Sequence, residues 1–160
     1  MDSVELYYQV AQSHLLEQDQ RNRDLELKAT GTSGVGIALV GLAALVMADF
    51  SGVSANRLSA LTFVLAGALG VTFLVAFYYS LRTLWVRDDW DRRPMPRELA
   101  GHLSNYPEKE LVEWVADGIT CAHEINERVL ITKANAVKRA MLALSSETVF
   151  LALLAISTRL

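Results

Sequence analysis

Glu147 sits in the run Ser145-Ser146-Glu147-Thr148, with the apolar stretches 141–144 and 149–156 on either side. An ionisable group within a membrane span is a functional candidate by default. Repeated about a symmetry axis, Glu147, Ser145, Ser146 and Thr148 form a ring of carboxylates and hydroxyls, the wall or gate of a cation-selective pore. The same carboxyl has a structural use, as a hydrogen-bonded lock between three helices, and both readings stand at this stage. A second set is basic: Arg92, Arg93 and Arg97 in one segment, Lys133, Lys138 and Arg139 in another. Grouped in an oligomer, these side chains suit the phosphates of a nucleotide ligand. Lipid headgroups are the commoner partner of such clusters, and Asp88, Asp89 and Asp91 neutralise the first.

Other chemistry is absent from the pattern. His14, His102 and His123 are scattered, and His123 with Cys121 or Glu124 has no metal-ligand spacing. Gly31, Gly34 and Gly36 lack the Lys-Ser or Lys-Thr that completes a phosphate loop, so packing explains them better. Cys121, the single cysteine, is expected on a mostly buried helical face as an inert thiol. No convergent set of titratable groups marks an enzyme, a metal or a cofactor. In composition, 52% of the 160 residues are hydrophobic and 21% charged, which is too apolar for a disordered chain. With 15 Lys and Arg against 18 Asp and Glu, a strongly basic nucleic-acid binder is excluded too.

The elements that carry these residues follow from where charge is missing. No charged side chain occurs in residues 29–48 or 58–81, and helices of those lengths extend about 30 and 36 Å, enough for a hydrocarbon core of about 30 Å. A third apolar segment, 140–158, contains Glu147. An acid there costs roughly 2.5–3.5 kcal/mol, against about 0.3–0.6 returned by each Leu, Ile, Phe or Val, so it inserts as part of a bundle, or else lies along the membrane surface or packs as a soluble helix.

Flanking cations orient the spans. Arg21, Arg23 and Lys28 precede the first, and Arg82, Arg87, Arg92, Arg93 and Arg97 follow the second, while the connection between them holds only Arg57. Lys and Arg stay on the cytoplasmic side, so the expected protein is multi-pass in the inner (cell) membrane, with a cytoplasmic amino terminus and an uncleaved first span. The expected layout is a cytoplasmic amphipathic helix at 2–28 and a transmembrane hairpin at 29–84, with spans 29–48 and 58–81. A cytoplasmic linker and long helix follow at 85–139, and a third transmembrane helix at 140–158.

In the first segment Val4, Tyr7, Tyr8, Ala11, Leu15 and Leu25 recur at helical spacing. Its six acids against three bases through residue 30 disfavour an anionic membrane surface and favour packing on protein helices. Pro94, Pro96 and Pro107 break the linker. Beyond Pro107, Leu111, Trp114, Val115, Gly118, Ala122, Ile125, Val129, Thr132 and Ala136 approach a heptad seam, and one helix of roughly 50 residues and 75 Å can run on into the third span. Close approach of backbones is possible at Gly34 with Ala38, Ala44 with Ala48, and Ala66 with Gly70, within one bundle or between subunits. The expected fold is thus an all-α membrane protein of two to three transmembrane helices with long cytoplasmic amphipathic helices, assembled as a homo-oligomeric bundle.

Leu6-Tyr7-Tyr8, Asp24-Leu25 and Lys28-Ala29 entering a glycine-rich span, then His123-Glu124, Asn126, Leu130 and Lys133 on the returning helix, resemble the small SLATT-type and Pycsar-type transmembrane effectors of bacterial antiphage systems. The likeness covers nearly the whole chain as a layout. It implies an oligomeric effector, a tetramer by channel precedent, gated by a cyclic nucleotide or oligonucleotide that a partner nucleotidyltransferase or cyclase makes. Such an effector permeabilises the inner membrane and stops infected cells. The third span and the lack of a separate ligand-binding domain depart from the simplest pattern of that group. The alternative function is a membrane-anchored scaffold that tethers or regulates a soluble partner enzyme through the stripes on 4–25 or 111–136.

Overall fold

The computed structural model describes residues 3–48, 60–85 and 107–157, and among them only Pro107 lies outside an α-helix. There are three helices in chain order: α1 (Ser3–Ala48), α2 (Ala60–Trp85) and α3 (Glu108–Ser157). The 49–57 connection and the linker with Arg92, Arg93, Arg97, Pro94 and Pro96 lie outside the described residues.

Each helix starts and continues for local reasons. Glu5 in α1, and Glu108 and Glu110 in α3, put negative charge on first turns, where the dipole is positive. At the head of α3 the Pro107 carbonyl accepts the first helical bond from Leu111 N at 3.1 Å, and the missing proline N–H is one a helix start does not need. No proline occurs inside any of the three. Hydroxyls that would disturb an apolar segment are turned back on their own helix: Thr30 donates to Glu26 O and Thr32 to Lys28 O, at 2.9 and 2.8 Å. The expected passage from cytoplasmic to transmembrane segment at residue 28 involves no break in the helix. α1 runs through it as one rod of 46 residues, and α3 is a single helix of 50.

All three helices are long and apolar enough to cross a bilayer. Only 17%, 17% and 22% of their most apolar windows is buried within the chain. The rest, including Ile37, Leu45, Phe63, Val64, Leu74, Leu142, Val149 and Ile156, is exposed. That much uncovered apolar surface is untenable in water and ordinary in lipid, so the fold is compatible with a multi-pass membrane protein.

Burial along α3 follows a strict three-four alternation: Ile119, Ala122, Asn126, Val129, Lys133, Ala136, Ala140, Ala143, Glu147, Phe150 and Leu154, of which only Phe150 is less than fully buried. α1 has the matching series Tyr8, Ala11, Leu15, Gln18, Asn22, Leu25, Ala29, Thr32, Gly36, Leu39 and Ala43, all buried or half-buried. The seam expected on α3 shares Ala122, Val129 and Ala136 with this series. It is otherwise displaced by one residue: Trp114, Ile125 and Thr132 are exposed, and polar Asn126 and Lys133 face inward. Cys121 also departs from expectation, being exposed.

The chain forms two compact units. In the first, residues 3–24 of α1 pack parallel to 107–133 of α3. Tyr7 OH donates to Asp117 Oδ1 at 3.2 Å and lies 3.0 Å from Thr120 Oγ1. Gln18 Nε2 donates to His123 O at 2.9 Å and to Glu127 Oε2 at 3.4 Å, and Lys133 Nζ donates to Asn22 Oδ1 at 2.8 Å. Arg21 pairs with Glu127 at 3.5 Å on the exposed rim, worth at most about 1 kcal/mol.

In the second unit, 25–48 of α1, α2 and 134–157 of α3 surround a core of Ala43, Leu69 and Leu154, with Val40, Met47, Leu65, Phe150 and Leu151 packed on it. α1 and α3 run the same way and α2 runs back between their ends. Alanine recurs at the contacts (Ala29, Ala43, Ala76, Ala136, Ala140, Ala143), which lets backbones approach closely, as helices in lipid require.

Candidate functional site

Glu147 is placed by the α3 seam, whose alternation turns it inward while its neighbours turn out. Its side chain is 0% exposed. Opposite stands Gly36 of α1: a Cβ there would lie 3.4 Å from Glu147 Oε2 and 3.4 Å from Phe73 Cδ2 of α2. The carboxyl thus occupies the room that the absent side chain leaves, with an aromatic ring closing the third side. Neither of its oxygens has a hydrogen-bond partner among the described residues. Even uncharged, a polar group left so costs about 2–7 kcal/mol in apolar surroundings.

The other three members of the expected ring are elsewhere. Ser145, Ser146 and Thr148 are exposed, and each hydroxyl donates to its own helix: Ser145 to Met141 O at 2.9 Å, Ser146 to Leu142 O at 3.1 Å, Thr148 to Ser145 O at 2.7 Å. Within one chain the structure does not bring them together with the carboxyl. It brings Gly36 and Phe73 to it instead. The sequence offered a signal for Gly36 only in hindsight, as the one glycine that falls on the α1 seam.

Of the basic residues, Arg92, Arg93 and Arg97 lie outside the described residues. Lys133 is 1% exposed, inside the first unit on Asn22. Lys138 and Arg139 are exposed in the second unit. Arg139 Nη1 donates to Tyr79 OH at 3.2 Å, and the guanidinium lies over the same ring, 5.4 Å from its centroid. Tyr79 was not singled out by sequence, where it reads as one more aromatic near the end of a span.

Elsewhere in the first unit the rings of His14 and His123 are 5.5 Å apart, and His123 Nδ1 is buried with no hydrogen-bond partner among the described residues. Among the described residues no three His, Cys, Asp or Glu side chains converge to hold a metal ion. No protein-family model matches this chain, and neither a curated protein nor a solved structure does.

Proposed function

We propose that the chain is a multi-pass membrane effector that assembles as a homo-oligomer and conducts ions, with Glu147 as the ion-contacting group of a conduit that is closed in the present arrangement. The carrying observation is the Glu147 carboxyl, wholly buried against Gly36 and Phe73 with no hydrogen-bond partner among the described residues. A structural lock would earn its place through hydrogen bonds. A carboxyl without them is retained at a cost, as groups that serve transport are. Gating turns α3 so that Glu147 reaches the conduit beside the hydroxyls that already face outward.

Assembly is supported by the outer face of α1. Gly31, Gly34, Ala38 and Gly41 are exposed there, and a Cβ added at any of the three glycines meets nothing within 4 Å. These small residues lie off the intramolecular seam and leave room for a second backbone. The resemblance to antiphage effectors supplies the biological reading: a nucleotide-derived signal opens the conduit in the inner membrane.

The test is electrical. The purified chain in planar bilayers gives discrete cation conductance, and Glu147→Gln lowers cation over anion selectivity while the oligomer stays intact. A silent membrane, with and without candidate cyclic nucleotides, favours the scaffold reading. That reading draws support from Leu6, Val10, Leu16, Trp114 and Ile125, exposed on the first unit, where a soluble enzyme could dock.

A further inference from the structure

Arg139 stands one residue before the third apolar segment, exposed, and no carboxylate pairs with it among the described residues. Tyr79 holds one face and one N–H of its guanidinium, and the other N–H groups of the fork have no acceptor among the described residues. From this pair a groove of about 370 Å³ extends between α2 and α3. Val75, Leu142 and Ala143 form its walls, and Thr72 and Ser146 also line it. From Arg139 to Ser146 the helix rises about 10 Å. One end of the groove is therefore cationic and the remainder is mostly aliphatic, its two hydroxyls being already committed to their own helices, Thr72 to Leu69 O and Ser146 to Leu142 O.

We propose that this groove binds an anionic glycerophospholipid, with its phosphate on Arg139 and the Tyr79 hydroxyl and one acyl chain along Val75, Leu142 and Ala143. A free nucleotide is a poor match, because the guanidinium and the Tyr79 hydroxyl both go to the phosphate, and the other hydroxyls of the described lining, Thr72 and Ser146, are already bonded to their own helices and leave no donor to read a base or ribose. The occupant has to offer negative charge at one end and hydrocarbon at the other. The volume suits the upper part of a single chain, with the rest of the lipid in the bilayer. Arginine suits the role better than lysine: its planar guanidinium stacks on the tyrosine while its fork meets two phosphate oxygens. Arg82, one turn beyond Tyr79 on α2, and Lys138, next to Arg139, are also exposed and add attraction for an anionic leaflet. The inference requires only that the second unit is in lipid, and it holds whether or not the protein conducts.

The experiment uses the full chain in a non-ionic detergent, stripped of lipid, then offered phosphatidylglycerol or phosphatidylcholine and weighed by native mass spectrometry. Phosphatidylglycerol is expected to be retained in preference. Arg139→Gln lowers that retention roughly five- to tenfold. Val75→Trp, which fills the aliphatic half and leaves the charge, lowers it as well, and millimolar glycerol 3-phosphate does not displace the lipid. Equal retention of the two lipids, or unchanged retention in Arg139→Gln, overturns the proposal. Displacement by glycerol 3-phosphate, with Val75→Trp unaffected, also overturns it in favour of a free phosphate site. Helix content and elution volume verify the fold of each variant. If Arg139→Gln does not fold, Tyr79→Phe, which removes one oxygen only, decides by the same readout. No conductance enters the measurement, so its outcome is separate from that of the pore test.

Discussion

Gly36 and Glu147 are a size pair: one helix gives up its side chain where the other presents a long one. Gly36→Val puts methyl groups where Glu147 Oε2 and Phe73 now sit, and overpacking of that kind costs about 1–3 kcal/mol. The expected result is a lower thermal unfolding midpoint in detergent, restored for the most part when Glu147→Ala is added to the same chain. If the double variant is as unstable as the sum of the two single ones, the contact is not as described. At this scale the sequence was legible for Glu147, because an acid in an apolar run stands out by type alone. It was not legible for the carboxyl's surroundings. Which glycine faces Glu147 depends on the register of two helices more than a hundred residues apart, and local sequence does not encode that distance. Lys133 was legible as a cation, but the Asn22 oxygen that receives it was not, since charge alone says nothing of a partner 111 positions away.

At the level of elements, two helices with unbroken heptad seams run in parallel, and the hydrogen bond from Lys133 to Asn22 spans 111 positions. Applied to Ala11, the same offset lands on Ala122, and both are buried. In a Cys121→Ser background, Ala11→Cys with Ala122→Cys should close a disulfide within one chain under mild oxidation. Ala11→Cys with Val129→Cys should not, because Val129 lies two turns further on, about 10 Å along the axis and beyond disulfide reach. Equal cross-linking of both pairs in gel-shift assays would refute the register. Helix lengths and the continuity of α3 were readable from the missing breakers. The seam was not, because a search for apolar residues passes over Asn126 and Lys133. Both are inward-facing because the first unit holds polar partners, and polar residues at such core positions fix register at some expense of stability.

For the whole molecule, two of the three apolar helices were legible as lengths free of charge and the third as an apolar run interrupted by Glu147, since a bilayer sets a length that composition either meets or fails. The outward aim of the α1 glycines was not legible, because Gly34 and Gly36 look alike until the seam separates them. Gly34→Leu with Gly41→Leu should therefore leave the unfolding free energy of the protomer within about 1 kcal/mol, as neither position packs on the chain among the described residues. The same change should shift the assembly toward smaller species in analytical ultracentrifugation. An unaltered mass would remove α1 from the subunit interface. α1 and α3 each pass from the first unit into the second without a proline or a break in the helix. Any kink in such a helix has to be made by breaking backbone hydrogen bonds that are intact, because no proline has removed one in advance.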